Sequence, residues 1–409
     1  MRLEITGIAG GGRGFARAGG RAWFVAGALP GEVVEAAVER ERAGVVEARA
    51  VAVERPSAWR EATPCPVAEA CGGCDLAHVR RDAAAAILRE VTCGALRHAD
   101  PALAAAARAA EVVVSPMPWR LRARLHWDPV RRALGFFGPR SRRTVEITPC
   151  RVVSRRLLDA MPAMAAALAS GGAAAGDLDW LESLDGGTAV AGWRGARCEL
   201  PRVDGLDGWH PVGRDGGIGG GGWGETGVTM PLRVPLRVPV GAFFQGNRHL
   251  VPPLFDRIAE LVRVSGAQRV VDLYAGVGFL AAAAATAGAA ELALVESSGV
   301  AASAAAANLP AASVACATAE RYLAGPRPGR DALAIVDPPR TGMSAAVLAA
   351  LLDWCPIGVV MLGCDAARFG RDAGRLLAHG YRLESMQLWD MFAGSHHVEI
   401  LASFARAAG

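Results

Sequence analysis

The stretch that decides the fold is RVVDLYAGVGFL, residues 269–280. Val270 and Val271 sit in an apolar run that Asp272 closes, and Gly276 and Gly278 follow at once. An apolar run without polar alternation is the pattern of a strand covered on both faces. Glycines directly behind such a strand let the backbone approach a ligand closely. Downstream, ELALVESS, DALAIVDPPR and IGVVMLGC repeat the apolar pattern, with alanine-rich helical stretches between them. Strands alternating with helices predict a parallel, doubly wound α/β sheet over residues 241–409.

In such a sheet, ligands bind outside the carboxyl ends of the strands. Glu296 ends the second strand about 20 residues beyond the glycine turn, where an acidic ribose partner is expected. The turn is not G-x-G-x-x-G, because Phe279 follows Gly278. That disfavours a dinucleotide, and D-x-x-x-G-x-G is the turn used by S-adenosylmethionine methyltransferases. Asp337 opens the DPPR loop at the end of the fourth strand, which its two prolines stiffen.

Cys364 ends the fifth strand at the same edge and is a candidate nucleophile, weighed against an ordinary small buried residue. Glu399, in GSHHVEIL, is a candidate base, weighed against a charge on an edge strand.

Two further zones precede this one. Residues 1–56 hold short valine-rich stretches split by Gly and Pro, the pattern of a small β-barrel, an architecture that often binds nucleic acid. Residues 57–240 hold three cysteines in CPVAEACGGC, and PWRLRARLHW. There alternation places Arg120, Arg122 and Arg124 on one strand face. A basic stripe beside aromatics fits single-stranded RNA, with a solvated face as the rival reading. DGLDGWHPVGRDGGIGGGGWGETG reads as a mobile glycine-rich loop.

The bulk numbers set bounds. A chain of 409 residues predicts two or three domains. No leader segment and no clean membrane span are evident, so a cytoplasmic location is expected. Disulfides are rare there, which counts against pairing among the nine cysteines. The net charge of +4 does not by itself indicate a nucleic-acid partner, although every basic residue is arginine, which suits phosphate and base contacts.

Taken together, the motifs resemble the RNA uracil-5 methyltransferases over nearly the whole chain. GIAGGGRGFARAGGRAWFVAGALPGE resembles the start of a TRAM domain, an OB-like barrel. FFQGN, residues 243–247, resembles the F-x-Q-x-N motif that precedes the methyltransferase domain. VVDLYAGVGF, VES, DPPRTG and HHVE follow in family order. The resemblance implies S-adenosylmethionine as methyl donor and an RNA substrate, ribosomal rather than transfer RNA. It implies a nucleophile at Cys364, a base at Glu399, and cofactor contacts at Gln245, Tyr274, Gly276, Glu296 and Asp337. It also implies a central α+β domain in which Cys65, Cys71, Cys74 and Cys150 hold a [4Fe-4S] cluster. Zinc is the rival, but zinc knuckles more often use two C-x-x-C pairs, whereas Cys150 stands alone. Cys93, Cys198, Cys316 and Cys355 read as core thiols. No protein partner is evident.

Two positions depart from the family. Its S-C-N-P motif is here Gly363, Cys364, Asp365 and Ala366. A carboxylate next to the thiol is expected to raise its pKa. An RNA-binding protein with weak or lost catalysis is therefore the competing function, with a transfer-RNA uridine methyltransferase as a further alternative. The second departure is Phe279, where relatives often place a polar residue that touches the cofactor.

Overall fold

The computed structural model describes residues 1–406, so residues 407–409 of the C-terminal zone lie outside the described residues. Its largest sheet comes from the segment that opened the sequence. Strands β1 (Arg269–Leu273), β2 (Glu291–Glu296), β3 (Ser313–Cys316), β4 (Leu333–Val336), β5 (Gly358–Gly363), β6 (Tyr381–Trp389) and β7 (Glu399–Arg406) pair in the order β3-β2-β1-β4-β5-β7-β6. The first five are mutually parallel, and β7 inserts antiparallel between β5 and β6. The order reverses between β1 and β4, the topological switch point at which open α/β sheets bind ligands. Strand β4 is buried at every residue, as its uninterrupted apolar sequence requires.

The turn after β1 explains its own glycines. Gly278 has φ +91°, and a Cβ there would meet Leu309 Cδ1 at 3.2 Å. The backbone angle therefore favours glycine, and the space around it is tight as well. Gly278 caps the helix Phe279–Thr286, whose alanines 281–284 are fully covered. Phe279 turns inward against Phe244 and Phe255, at ring separations of 5.5 and 5.7 Å. It is a core residue, and the cofactor contact that relatives place there is absent from its side chain.

Residues 1–56 form a six-stranded antiparallel and parallel sheet whose edge strands are Arg2–Glu4 and Gly7–Ala9. Two residues cannot bridge the roughly 24 Å between the edges of a flat six-stranded sheet. The sheet must curl, and the two linking residues bond to both sides of it, Ile5 N–H to Glu32 O at 2.9 Å and Thr6 N–H to Phe15 O at 2.8 Å. Glu32 of the PGE segment is fully buried and accepts from Arg60, which pins the closed sheet to the chain that follows.

The middle of the chain builds a seven-stranded sheet around Trp180, Trp193 and Trp209, backed by the helix Arg155–Ser170. The glycine-rich stretch expected to be a mobile loop instead contributes the strands Gly208–Pro211 and Trp223–Gly224 to this sheet. There Gly208 is needed, because a Cβ would fall 1.9 Å from Glu225 O. The strand Glu111–Val113 leaves this zone and pairs in parallel with β6, at the edge of the large sheet. No helix among the described residues is long and apolar enough to cross a membrane.

Candidate active site

Cys364 follows β5 and Glu399 opens β7. The last registered pair between those strands is Gly363 with Ile400. One residue further on, the two chains carry Cys364 and Glu399 side by side. Asp337 follows β4, whose Val336 is registered against Met361 of β5. Tyr274 follows β1 and Glu296 ends β2, with Leu273 registered against Val295. The sequence-selected residues therefore gather at one sheet edge across the switch point.

Gln245 reaches the same place from outside the sheet and donates from Nε2 to Asp337 Oδ2 at 3.2 Å. Gly276 N–H donates to Glu296 Oε2 at 2.9 Å, which fixes the carboxylate under the turn. Gly276 has φ +56° and open space where a Cβ would stand, so its missing side chain leaves room for a ligand. Tyr274 is held at φ +68° by its own N–H donating to Val295 O.

The electrostatics of this edge are one-sided. Burial, then Asp337 and Glu296, raise the Asp272 carboxyl well above the usual range, and its Oδ1 has no partner. Asp272 was not among the candidates for cofactor contact; its place at the end of the first strand was the available signal. Burial raises Asp337 to about 7 against the opposing Gln245 hydrogen bond. Glu399 is pushed well up by burial and then by Asp337, with Arg340 opposing, and its Oε1 is also unpartnered. An orphaned buried acceptor normally costs about 1–3 kcal/mol, and these two, on β1 and at the start of β7, flank Asp337 along the sheet edge. The donor set fits S-adenosylmethionine, whose sulfonium and ammonium groups are cationic.

Burial, then Glu399 and Asp337, raise the Cys364 thiol to about 12, while Arg340 lowers it. The expected culprit, Asp365, acts elsewhere. Its side chain caps the helix Ala366–Ala378 and accepts from Arg368 N–H at 2.9 Å. Asn caps a helix in the same way, so Asp365 preserves the turn of the family motif. Arg340 is a residue that sequence reasoning passed over; its signal was its place in DPPR.

The basic stripe is only partly available. Arg124 is bound to Asp179, together with Arg194. Arg120 lies over the Trp119 and Phe136 rings, beside the cysteines. Arg122 makes no side-chain hydrogen bond among the described residues and stands 5.3 Å from the ring of Phe243, which is 58% exposed.

Cys65, Cys74 and Cys150 line one cavity of about 70 Å³, and Cys71 is close enough for the charges of Cys150 and Cys65 to act on it. Burial and then Cys150 push the Cys74 thiol to about 12. Among the described residues no three His, Cys, Asp or Glu converge closely enough to hold one metal ion. Of the presumed core thiols, Cys316 is exposed, at the end of edge strand β3.

A doubly wound sheet with a cation-seeking acidic edge, joined to a small curled N-terminal sheet, defines the class of methyltransferases that carry an appended nucleic-acid domain. Residues 1–51 match the TRAM domain family. The chain is 30% identical to the 23S rRNA (uracil(1939)-C(5))-methyltransferase RlmD of Alkalilimnicola ehrlichii, over 100% of this chain and 97% of that protein. It is also 30% identical to the protein of the same name from Pseudomonas putida, over 99% and 93%. In fold it is similar to the tRNA (uracil-54, C5)-methyltransferase of Pyrococcus abyssi, solved with S-adenosyl-L-homocysteine. The TM-score there is 0.75 at 21% identity, covering 99% of this chain and 100% of that one. The chain belongs to the RlmD family of RNA uracil-C5 methyltransferases.

Proposed function

We propose that this protein methylates carbon 5 of a uridine in 23S ribosomal RNA through a covalent adduct between Cys364 and carbon 6 of the base. The observation that carries this reading is the placement of Cys364 and Glu399 on adjacent strand ends beside the acidic edge at Asp272, Asp337 and Glu296. S-adenosylmethionine, held by Gln245, Tyr274, Gly276, Glu296 and Asp337, supplies an electrophilic methyl group.

Carbon 5 of uracil is too weak a nucleophile to take that methyl unaided. The Cys364 thiol gives up its proton to solvent, the thiolate adds to carbon 6, and the displaced π pair moves towards the C4 carbonyl as an enolate, which makes carbon 5 nucleophilic. Carbon 5 then takes the methyl group, and the S–CH3 bonding pair stays on the donor sulfur, which departs as S-adenosyl-L-homocysteine. Glu399 accepts the carbon 5 proton, the C6–S bond breaks, and the sulfur leaves as thiolate. Burial, then Glu399 and Asp337, hold the thiol high in the resting protein, and positive charge admitted beside the two carboxylates offsets their share of that effect. Phe243 and Arg122 offer a stacking platform for a base drawn out of its stack.

Cys65, Cys71, Cys74 and Cys150 would hold a [4Fe-4S] cluster in a structural or RNA-positioning role. What supports the assignment is that Cys65, Cys74 and Cys150 line one cavity with Cys71 beside them, together with the lone fourth cysteine, which is unlike the two C-x-x-C pairs of a zinc knuckle. Absorbance in the broad visible band after anaerobic purification, with iron rather than zinc on elemental analysis, tests this assignment.

Incubation with 5-fluorouridine RNA and S-adenosylmethionine tests the activity. The fluorine cannot leave as a proton does, so a covalent protein–RNA complex should persist. Cys364→Ser should abolish it. An unreactive wild-type protein would support a binding protein without catalysis. Mapping 5-methyluridine in ribosomal and transfer RNA, with and without the gene, identifies the substrate.

A further inference from the structure

Glu399 follows a nine-residue connection, residues 390–398, that no strand or helix supports. Its first half is anchored from several directions. Asn247 Nδ2 donates to the carbonyls of Asp390 and Met391 at 3.3 and 3.2 Å. Trp119 Nε1 donates to Ala393 O at 3.0 Å, and Leu76 N–H to Gly394 O at 3.0 Å. Beyond Gly394 the anchoring changes. Ser395 and His397 bond only within the connection. Val398 is held by burial in the core. Among the described residues, the hydrogen-bonded tie from this half to the rest of the chain is at His396, whose backbone N–H donates to Asp75 Oδ1 at 2.9 Å and whose Nδ1 pairs with Asp75 Oδ2. This contact is three residues before Glu399 and one residue after Cys74. Gly12 of the N-terminal sheet closes over it, because a Cβ at Gly12 would lie 3.0 Å from His396 Cβ.

We propose that Asp75 and His396 form a positioning pair that holds Glu399 in register with carbon 5 of the bound base. The inference rests on the methyltransferase reading above and assigns a role to two residues that touch neither the substrate nor the cofactor. Its consequence is selective. Attack by Cys364 and methyl transfer do not require Glu399. Removal of the carbon 5 proton does, and only then can the C6–S bond break. Slackening the pair should therefore slow release of the methylated product and leave adduct formation intact.

The test compares Asp75→Ala, His396→Ala, the double variant and Asp75→Asn in the full chain, with two RNAs. With 5-fluorouridine RNA, all variants should form the adduct at close to the wild-type rate, which also reports folding and cofactor binding. With ordinary uridine RNA, the alanine variants should accumulate covalent complex and turn over about 10- to 100-fold more slowly, the scale expected for a base displaced by about 1 Å. kcat and KM for RNA should fall together, leaving kcat/KM near the wild-type value. The double variant should be no worse than either single one. Asp75→Asn keeps an acceptor for the His396 N–H and should recover most of the turnover.

Wild-type turnover without accumulation in Asp75→Ala overturns the inference. So does loss of the 5-fluorouridine adduct in the variants, which would make the pair a general structural contact. A wild-type protein that forms no adduct with 5-fluorouridine RNA fails earlier and differently, and takes the methyltransferase reading and this inference down together.

Discussion

Buried carboxylates are treated in opposite ways at the two ends of this molecule. In the N-terminal sheet, burial raises the Glu32 carboxyl, but Arg60 and the amides of Leu29 and Ser57 more than offset it, so its pKa ends below the usual value. Asp179 in the central sheet follows the same rule through Arg124 and Arg194. At the sheet edge of the methyltransferase half, Asp272 and Glu399 are buried and Asp337 is half-buried, no arginine is hydrogen-bonded to them, and all three are raised. A chain whose basic residues are all arginine had ample means to pair these groups. Leaving carboxylates underground without a partner costs stability. It also leaves them as carboxyls that ionise when a cation arrives from outside.

The largest effect should come from removing the base. Glu399→Gln should lower turnover by about 10²- to 10⁴-fold, and covalent complex with ordinary uridine RNA should build up on denaturing gels. Stability to urea should hold or rise, because a neutral amide replaces a carboxyl with an unpartnered oxygen. Unchanged turnover would remove Glu399 from the reaction.

Glu32→Gln addresses the other side of the comparison. It leaves Arg60 facing a neutral group in a largely buried pair, and breaking such a pair costs about 3–5 kcal/mol. Urea denaturation should show the loss, while the folded fraction keeps its specific activity. A stable Glu32→Gln protein with impaired catalysis would invert the contrast.

The two kinds of carboxylate also predict opposite pH dependences. Glu32 has a lowered folded-state pKa, so its contribution to stability is present above about pH 4.5 and is lost as the pH falls through the folded value. Asp337 is raised to about 7, so its contribution is full below about pH 4 and is lost as the pH rises through 7. Asp337→Asn should therefore raise the Tm of the cofactor-free protein at pH 8 and weaken S-adenosylmethionine binding at least about tenfold, the value of one charge-assisted contact. In the wild type, affinity for the cofactor should fall as the pH drops from 8 to 6, measured by calorimetry. A flat profile would show that Asp337 is already ionised without a ligand.

How much of this was legible in the sequence follows the range of the interactions involved. The doubly wound sheet was, because buried parallel strands write themselves as apolar runs, and Asp272, Glu296, Asp337 and Cys364 fall where those runs stop. The closure of the N-terminal sheet was legible as a set of short strands. What failed depended on partners distant in the chain. Alternation put Arg120, Arg122 and Arg124 on one face, but only contact with Asp179 decides that Arg124 is occupied. The glycine-rich stretch looked mobile because glycine frequency does not reveal that Gly208 lies against Glu225 O. Asp75 and His396 are 321 residues apart, and no local pattern links them.

The smallest predicted effect bears on the residue that first raised doubt about catalysis. Asp365 stands beside Cys364 in sequence, and as a free carboxylate it would belong with the raised group. Its Oδ1 instead accepts the Arg368 N–H as the N-cap of the helix Ala366–Ala378. It therefore belongs with Glu32 and Asp179, as a carboxylate satisfied by the fold. Asp365→Asn restores the family residue and keeps the cap, so stability should change by no more than about 0.5 kcal/mol and turnover by less than about threefold. Asp365→Ala removes the cap and should cost about 1 kcal/mol. A tenfold gain in adduct formation by Asp365→Asn would instead mean that the carboxylate does act on the thiol, and Asp365 would join the residues whose charge is reserved for the reaction.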